Sequence, residues 1–337
     1  MAEINTASLK LLYNGTDISE DLLKYLSSFS VIGAVGENAD DLQICLENRE
    51  GFWSGSWSPQ KGAILEAEIH SFMNGTKKYL KCGTFAIDEI TVSGPPDTVV
   101  LKAVSSLTSK AMKQEKKSKG WEDVSLFQIA RNIADQHDLT LWADIAEPPV
   151  YARQDQREES DLAFLNRLCR DEDLNLKLTG DKIVISQGKT LEETAAFTTI
   201  ERGVTVFETY SFVSKTYDIF RACEVKYFDP VTKQVKKHTY TPPGALDAGQ
   251  ILKINQRVES LGQAIAKARG ALRRKNSQEI KVNFTIMGDP DFQAGMTFNK
   301  TGFGIFDGKY LIEDSKHVYT KQAGYKTTCR ARKVLNW

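Results

Sequence analysis

The apolar residues at both ends of this chain recur at every second position, and that period restricts the ends to strands that bury one face. Leu42, Ile44 and Leu46 alternate with Gln43 and Glu47, Leu65, Ala67 and Ile69 with Glu66, Glu68 and His70, and far downstream Ile280, Val282, Phe284 and Ile286 repeat the pattern. A helix needs a period of 3.6, so these runs read as half-solvated antiparallel strands. Thr84 to Val92, Val99 to Leu101, Val204 to Phe207, Cys223 to Tyr227 and Val235 to Tyr240 add further strands. Gly94-Pro95-Pro96 and Thr241-Pro242-Pro243-Gly244 break the runs, because Pro lacks the ladder donor.

Helical spacing appears elsewhere. Asp17 with Glu20 three residues on is a capping pattern, and Leu22, Leu23 and Leu26 follow on one face. Ser125 with Gln128 repeats the pattern ahead of Leu126, Ile129, Ala130 and Ile133. Ser160 caps a helix carrying Leu162, Leu165 and Leu168, and Leu174–Leu178 with Ile183–Ile185 forms a hairpin through Thr179-Gly180-Asp181-Lys182. Arg257 to Lys275 is the strongest helix, with Val258, Leu261, Ile265, Ala268 and Leu272 spaced three, four, three and four. The fold class is therefore α+β, mainly β. Residues 1–96 form a β-barrel or sandwich with one short helix, 97–189 a small α+β domain, and 190–337 a second β-rich domain that carries helix 257–275 and has room for an inserted subdomain.

Near the C-terminus, Gly288-Asp289-Pro290-Asp291 makes a turn, Ala294-Gly295-Met296 follows, and Gly308-Lys309-Tyr310-Leu311-Ile312, His317-Val318-Tyr319 and Gly324-Tyr325-Lys326-Thr327 read as a β-meander. Tyr310 and Ile312 are packing positions, Gly295 and Gly324 turn or close-approach positions, and His317 a hydrogen-bonded structural residue.

Lys+Arg and Asp+Glu both number 44, so no global field favours nucleic acid or an acidic membrane. Without a basic leader or a long apolar run, a soluble cytosolic product is expected. The five cysteines are odd in number and lack a Cys-x-x-Cys pair, which points to reduced thiols. Neither a metal nor a cofactor is expected: the four histidines have no ligand spacing, Gly302-Phe303-Gly304 lacks the third Gly and helix of a dinucleotide site, and there is no nucleophile elbow or P-loop. Glu158-Glu159-Ser160-Asp161 and Asp171-Glu172-Asp173 could serve as acid/base pairs, but read as a helix start and a solvated helix end. Lys110 to Lys119 reads as a mobile solvated loop, with phosphate contact as the rival. Arg269, Arg273 and Arg274 line a polar surface or channel, or form a solvated helix end.

Two blocks carry a resemblance. One is the meander just described. The other is Gln156-Arg157-Glu158-Glu159-Ser160-Asp161-Leu162-Ala163-Phe164-Leu165-Asn166-Arg167-Leu168, which looks like the pattern Gln-x-x-Glu-Ser-Asp-x-x-Phe-Leu-x-Arg-Leu. Together they resemble the baseplate hub proteins of contractile phage tails, the late control protein D family, which is similar to the N-terminal hub part of type VI secretion spike proteins. The motif residues Glu159, Ser160, Asp161, Phe164, Leu165, Arg167, Leu168, Gly295, Tyr310, Ile312, His317, Gly324 and Tyr325 are then structural: Ser160 and Asp161 serve the helix N-terminus, and Phe164, Leu165 and Leu168 face a core.

The resemblance implies two barrels similar to the tail-tube subunit, each with a helix, around the small middle domain. Three chains would make a pseudo-sixfold ring joining a hexameric tube to a trimeric spike. Implied partners are two further copies of the chain, the tail tube protein, a spike protein, and other baseplate and tape-measure proteins. No membrane is implied, and nucleic acid enters only by passage through the channel. Because the chain stops a few residues past the motif, at Trp337, the spike is expected to be a separate chain, and a phage tail or tail-like bacteriocin is favoured over a secretion spike. The place implied is a virion baseplate or tail-like particle assembled in the host cytoplasm. The rival readings are a cell-wall-cleaving baseplate enzyme and a nucleic-acid-binding module.

Overall fold

The structure is a computed structural model describing residues 6–337 apart from 36–39, 74, 106–111, 146–147, 180–181, 230–231, 246–247 and 259. Lys110, Gly180-Asp181, Pro230 and Glu259 of the sequence reading lie outside the described residues. The chain is mainly β. Its first part holds β1 (Thr6–Tyr13), β2 (Thr16–Asp17), α1 (Ser19–Tyr25), β3 (Leu26–Ala34), β4 (Asp41–Glu47), β5 (Ile64–Met73), β6 (Thr76–Ser93) and β7 (Thr98–Val104). The middle holds β8 (Lys116–Ser125), α2 (Leu126–Gln136), β9 (Thr140–Asp144), β10 (Val150–Ser160), α3 (Asp161–Asp171), β11 (Leu174–Thr179), β12 (Lys182–Gln187) and α4 (Gly188–Glu193). The last part holds β13 (Thr199–Glu201), β14 (Phe207–Ser214), β15 (Ala222–Asp229), β16 (Gln234–Tyr240), β17 (Ile251–Val258), α5 (Leu261–Asn276), β18 (Ile280–Met287), β19 (Thr297–Thr301), β20 (Gly308–Thr320) and β21 (Gly324–Lys333).

Both ends of the chain enter one 13-stranded sheet, ordered β14-β18-β21-β20-β3-β4-β7-β6-β5-β1-β2, with β19 on β20 and β13 on β19. Its strand order repeats. In the C-terminal part β14 pairs β18, the next strand of this sheet along the chain, which pairs the last strand (β21), which returns to β20. In the N-terminal part β3, β4, β7 and β6 stand in the same relation. The two sets join where β20 pairs β3 antiparallel, from Asp314 opposite Ala34 to Thr320 opposite Ser28. Period-two burial fills a core on each side of this joint. One is centred on Phe29, Ile44, Leu65 and Phe85, the other on Phe284, Phe298, Tyr310 and Ile312. A helix accompanies each part of the sheet, but at different places: α1 precedes β3, whereas α5 lies in the excursion between β14 and β18 and packs on β15–β17.

Four boundaries differ from the expectations. The helix expected from Arg257 begins at Leu261, with Ser260 accepting from the Gln263 amide, and Val258 ends β17. Val204 and Thr205 form a turn on the Glu201 carbonyl, and the strand starts at Phe207. Asp17 does not cap α1 through Glu20. Its carboxylate accepts from the Ser19 amide and hydroxyl instead, an Asx turn two residues long. Finally, the lysine stretch is no solvated loop from Lys116 onward: it forms β8 against β10, with Lys119 Nζ 3.7 Å from the Trp121 ring centroid. The expected capping box at Ser125 and Gln128 is present in both directions.

Candidate functional site: buried joints between the sheet and its insertions

The motif block from Gln156 to Leu168 runs through the end of β10 into α3. Ser160 Oγ accepts from the Ala163 amide, and Phe164, Leu165 and Leu168 are buried, with the Phe164 ring stacked on Trp121 at 6.2 Å. Arg167 reaches back to Glu159 at 2.6 Å and to the Asp155 carbonyl at 2.9 Å, and its guanidinium lies over Phe164. Asp161 does more than face a helix N-terminus. It is buried, and its carboxylate accepts from Lys117 Nζ at 2.6 Å and Gln156 Nε2 at 2.8 Å, with His137 Nε2 at 2.8 Å. Burial pushes the Asp161 carboxyl up, but the Lys117, Gln156 and His137 hydrogen bonds outweigh it and hold the group below its ordinary value. One carboxylate thus ties β8, α2 and β10 to the start of α3.

A second joint overturns the reading of Asp171-Glu172-Asp173 and of Arg273 as a solvated helix end. These residues meet each other where α3 ends against α5. Lys267 pairs with Asp171 at 3.0 Å, Arg269 with Asp173 at 3.4 Å, and Arg273, itself buried, with Asp173 at 3.8 Å and Glu192 at 2.6 Å. Glu192 of α4 is 5% exposed and also takes Arg332 of β21 at 2.7 Å. Arg332 in turn faces Glu313 of β20 at 3.5 Å. A Cβ on Gly270 would stand 2.9 Å from the Asp173 side chain, so the glycine lets the two elements approach. Burial raises Glu172 to about 7.

The C-terminal motif forms a third joint. Gly288 donates to the Tyr325 carbonyl at 2.8 Å, and a Cβ there would lie 2.1 Å from the Tyr325 ring, so only glycine fits. Asp289 and Asp291 in the following turn take Lys78 of β6 at 2.8 and 2.6 Å, linking the two parts of the sheet. His317 Nδ1 lies 2.7 Å from the Tyr325 hydroxyl and 3.2 Å from Thr327 Oγ1, all buried. Gly295 and Gly324 have positive φ, Gly295 donates to the Ile312 carbonyl, and Tyr310 is buried with its hydroxyl donating to the Phe306 carbonyl at 2.6 Å. Lys300, which the sequence reading passed over, is buried with its ammonium among Phe212, Phe303, Phe306 and Tyr310, and desolvation lowers it to about 8.

Burial lowers His317 to about 4 from its ordinary 6.5. The unfolded chain then binds the extra proton first, so the His317 contribution is complete above pH 6.5 and falls as pH drops towards 4, by about 3 kcal/mol, while Glu172, raised to about 7, contributes in the opposite sense over an overlapping window. Urea titrations of wild type and His317→Asn at intervals across this window are expected to differ by this loss, the Glu172 contribution being common to both. An unchanged slope in the variant would assign the loss to another group.

These joints hold ion pairs and packing, and among the described residues no cluster of three or more His, Cys, Asp or Glu side chains could hold a metal. A model of the phage tail baseplate hub (GPD) matches residues 105–323, well over half the chain. The chain belongs to the phage tail baseplate hub family. It is 28% identical over 193 residues to the probable baseplate hub protein of Escherichia phage P2, an alignment covering 55% of this chain and 45% of that one, so it spans about half the length of that relative. In fold, the hub resembles the 43 kDa tail protein of prophage MuSo2 from Shewanella oneidensis, with a TM-score of 0.73 at 13% identity over 97% of this chain and 98% of that one. It also resembles an E. coli component of the type VI secretion system described as similar to T4 tail proteins, with a TM-score of 0.54 at 11% identity over 97% and 77% of the two chains. Among the described residues no helix is long and apolar enough to cross a membrane.

Proposed function

We propose that this hub is a non-enzymatic symmetry adaptor in which three chains form a ring of six similar units between a hexameric tail tube and a trimeric spike. The two units are the repeated strand sets, and the middle region and the β15–α5 excursion are insertions into the chain that carries them. One observation carries the proposal. Inside the chain, β20 pairs β21 on one side and, on the other, β19 with its first residues and β3 with the rest, whereas its counterpart β6 pairs β7 on one side and, on the other, β5 only up to Ala86, with no second strand beside Glu89–Ser93 among the described residues. β14, the counterpart of β3, has an equally open outer edge, with Tyr210 and Val213 each 52% exposed. Repeating the β20–β3 joint between copies places β6 of one against β14 of the next. The matching bulges of β6 with β20 and of β14 with β3 align the two sets, and the repeat then sets Val92 opposite Phe212, as His317 sits opposite Val31. Such a head-to-tail interface closes a ring when its rotation divides a full turn, and unpaired edges otherwise invite uncontrolled association.

Light scattering on the hub, alone and mixed with tube and spike proteins, tests this. A trimer is expected, and Tyr210→Asp is expected to weaken it at least about tenfold, equivalent to about 1.4 kcal/mol, with the circular dichroism of the folded chain unchanged. A strict monomer that joins neither protein would sink the reading. So would turnover of purified peptidoglycan that Glu158→Gln abolishes, which would revive the enzyme alternative; in the structure Glu158 is exposed at a β-bulge and Glu159 is held by Arg167.

A further inference from the structure

A cleft of about 750 Å³ runs along α3, lined by Ser160, Arg167 and Arg170 of β10 and α3 and by Lys113 and Arg274. Positions 160, 163, 167 and 170 share one helical face, so the cations line a single wall. The one carboxylate in the lining, Asp171, is already paired with Lys267 at 3.0 Å. Arg167 is matched by Glu159.

Arg274 is different. Its guanidinium donates to the Arg170 carbonyl at 2.5 Å, and no carboxylate lies within ion-pair distance of it among the described residues. Burial pushes it below its ordinary value. Asp173 and Asp171 attract it from beyond ion-pair distance, and an incoming carboxylate would add the direct charge-assisted hydrogen bond that it lacks. Lys113, exposed across the cleft, supplies a second charge.

We infer that this cleft is a docking site for an acidic segment of a partner protein, bound through carboxylate side chains. The choice of a protein over nucleic acid rests on the cleft's border. Glu159 beside Arg167, Asp173 beside Arg269 and Arg273, and Asp41 near Lys113 surround the basic wall with carboxylates. A duplex carries a phosphate charge about every 1.7 Å and needs an extended basic face, whereas a short acidic segment needs only the cleft. The site is independent of the edges that would close the ring.

Fluorescence anisotropy with labelled hexaglutamate peptide on the full chain at low salt tests the inference. Saturable binding is expected, weakened at least about tenfold in Lys113→Glu/Arg170→Glu, about 1.4 kcal/mol or more. Lys61→Glu/Lys77→Glu, which changes net charge equally at exposed positions outside the cleft, should leave binding intact. Thermal melts establish that both double variants stay folded. Absence of saturable binding, or equal loss in the control, would overturn the proposal. Tighter binding of a short DNA duplex that is lost in the same cleft variant would replace it with a phosphate site.

Discussion

Glu192→Ala is expected to destabilise the hub by about 3–5 kcal/mol, the largest single-residue effect argued for this chain. Removing one member of a buried ion pair leaves the other charged and unsolvated, which costs far more than the intact pair contributes. Here the loss is doubled in kind, because Glu192 serves both Arg273 of α5 and Arg332 of β21. Arg273 would keep only the longer contact to Asp173 and its bond to the Trp337 carbonyl, and Arg332 the contact to Glu313. Glu192→Gln retains shape and one acceptor and should cost less. Urea denaturation followed by fluorescence measures the difference. A shift below about 1 kcal/mol in the alanine variant would mean that water reaches the joint and that the pairs behave as surface pairs do. A further consequence concerns cooperativity. Glu192 lies where the α5 excursion meets the sheet, so the variant should separate the melting of residues 215–279 from that of the sheet, seen as a broadened transition.

How much of this was legible in the residues follows from range. Period-two alternation exposes strand faces, so β4, β5, β18 and the hairpin β11–β12 could be read directly, as could the caps at Ser125 and Ser160, which act within three residues. The α5 boundary was misread because Val258 continues the apolar spacing of Leu261 and Ile265 by coincidence: it is buried from a strand. A signal was available, since Ser260 followed by Gln263 is a capping pattern. The charged joints could not be read. Asp161 meets Lys117 across 44 residues and Glu192 meets Arg273 across 81, and no local rule distinguishes such carboxylates from solvated ones. The same holds for the repeated strand order, which is a property of pairing and not of residue identity. Lys300 offered no cue because lysine in an alternating strand ordinarily faces water.

Asp161→Ala is the second large effect expected, about 3 kcal/mol or somewhat more, and it can be separated from that of His317 by pH. Truncation leaves buried His137 without its carboxylate partner, while the Gln156 amide keeps the Glu159 carbonyl at 3.0 Å and Lys117, with 29% of its side chain accessible, can turn to solvent, which places the loss at the low end of the range for broken buried pairs. Because hydrogen bonds hold Asp161 below its ordinary 3.8, the unfolded chain takes up the proton first as pH falls. Its contribution is therefore complete above about pH 4 and is lost below that, after the His317 contribution has already gone. Against the opposing gain from Glu172 between about pH 7 and 4.5, wild-type acid unfolding should carry two successive losses, read as differences from the variants. Asp161→Ala should remove the lower one and keep the upper, and His317→Asn the reverse. If Asp161→Ala removed the upper loss instead, the assignment of that loss to His317 would fail.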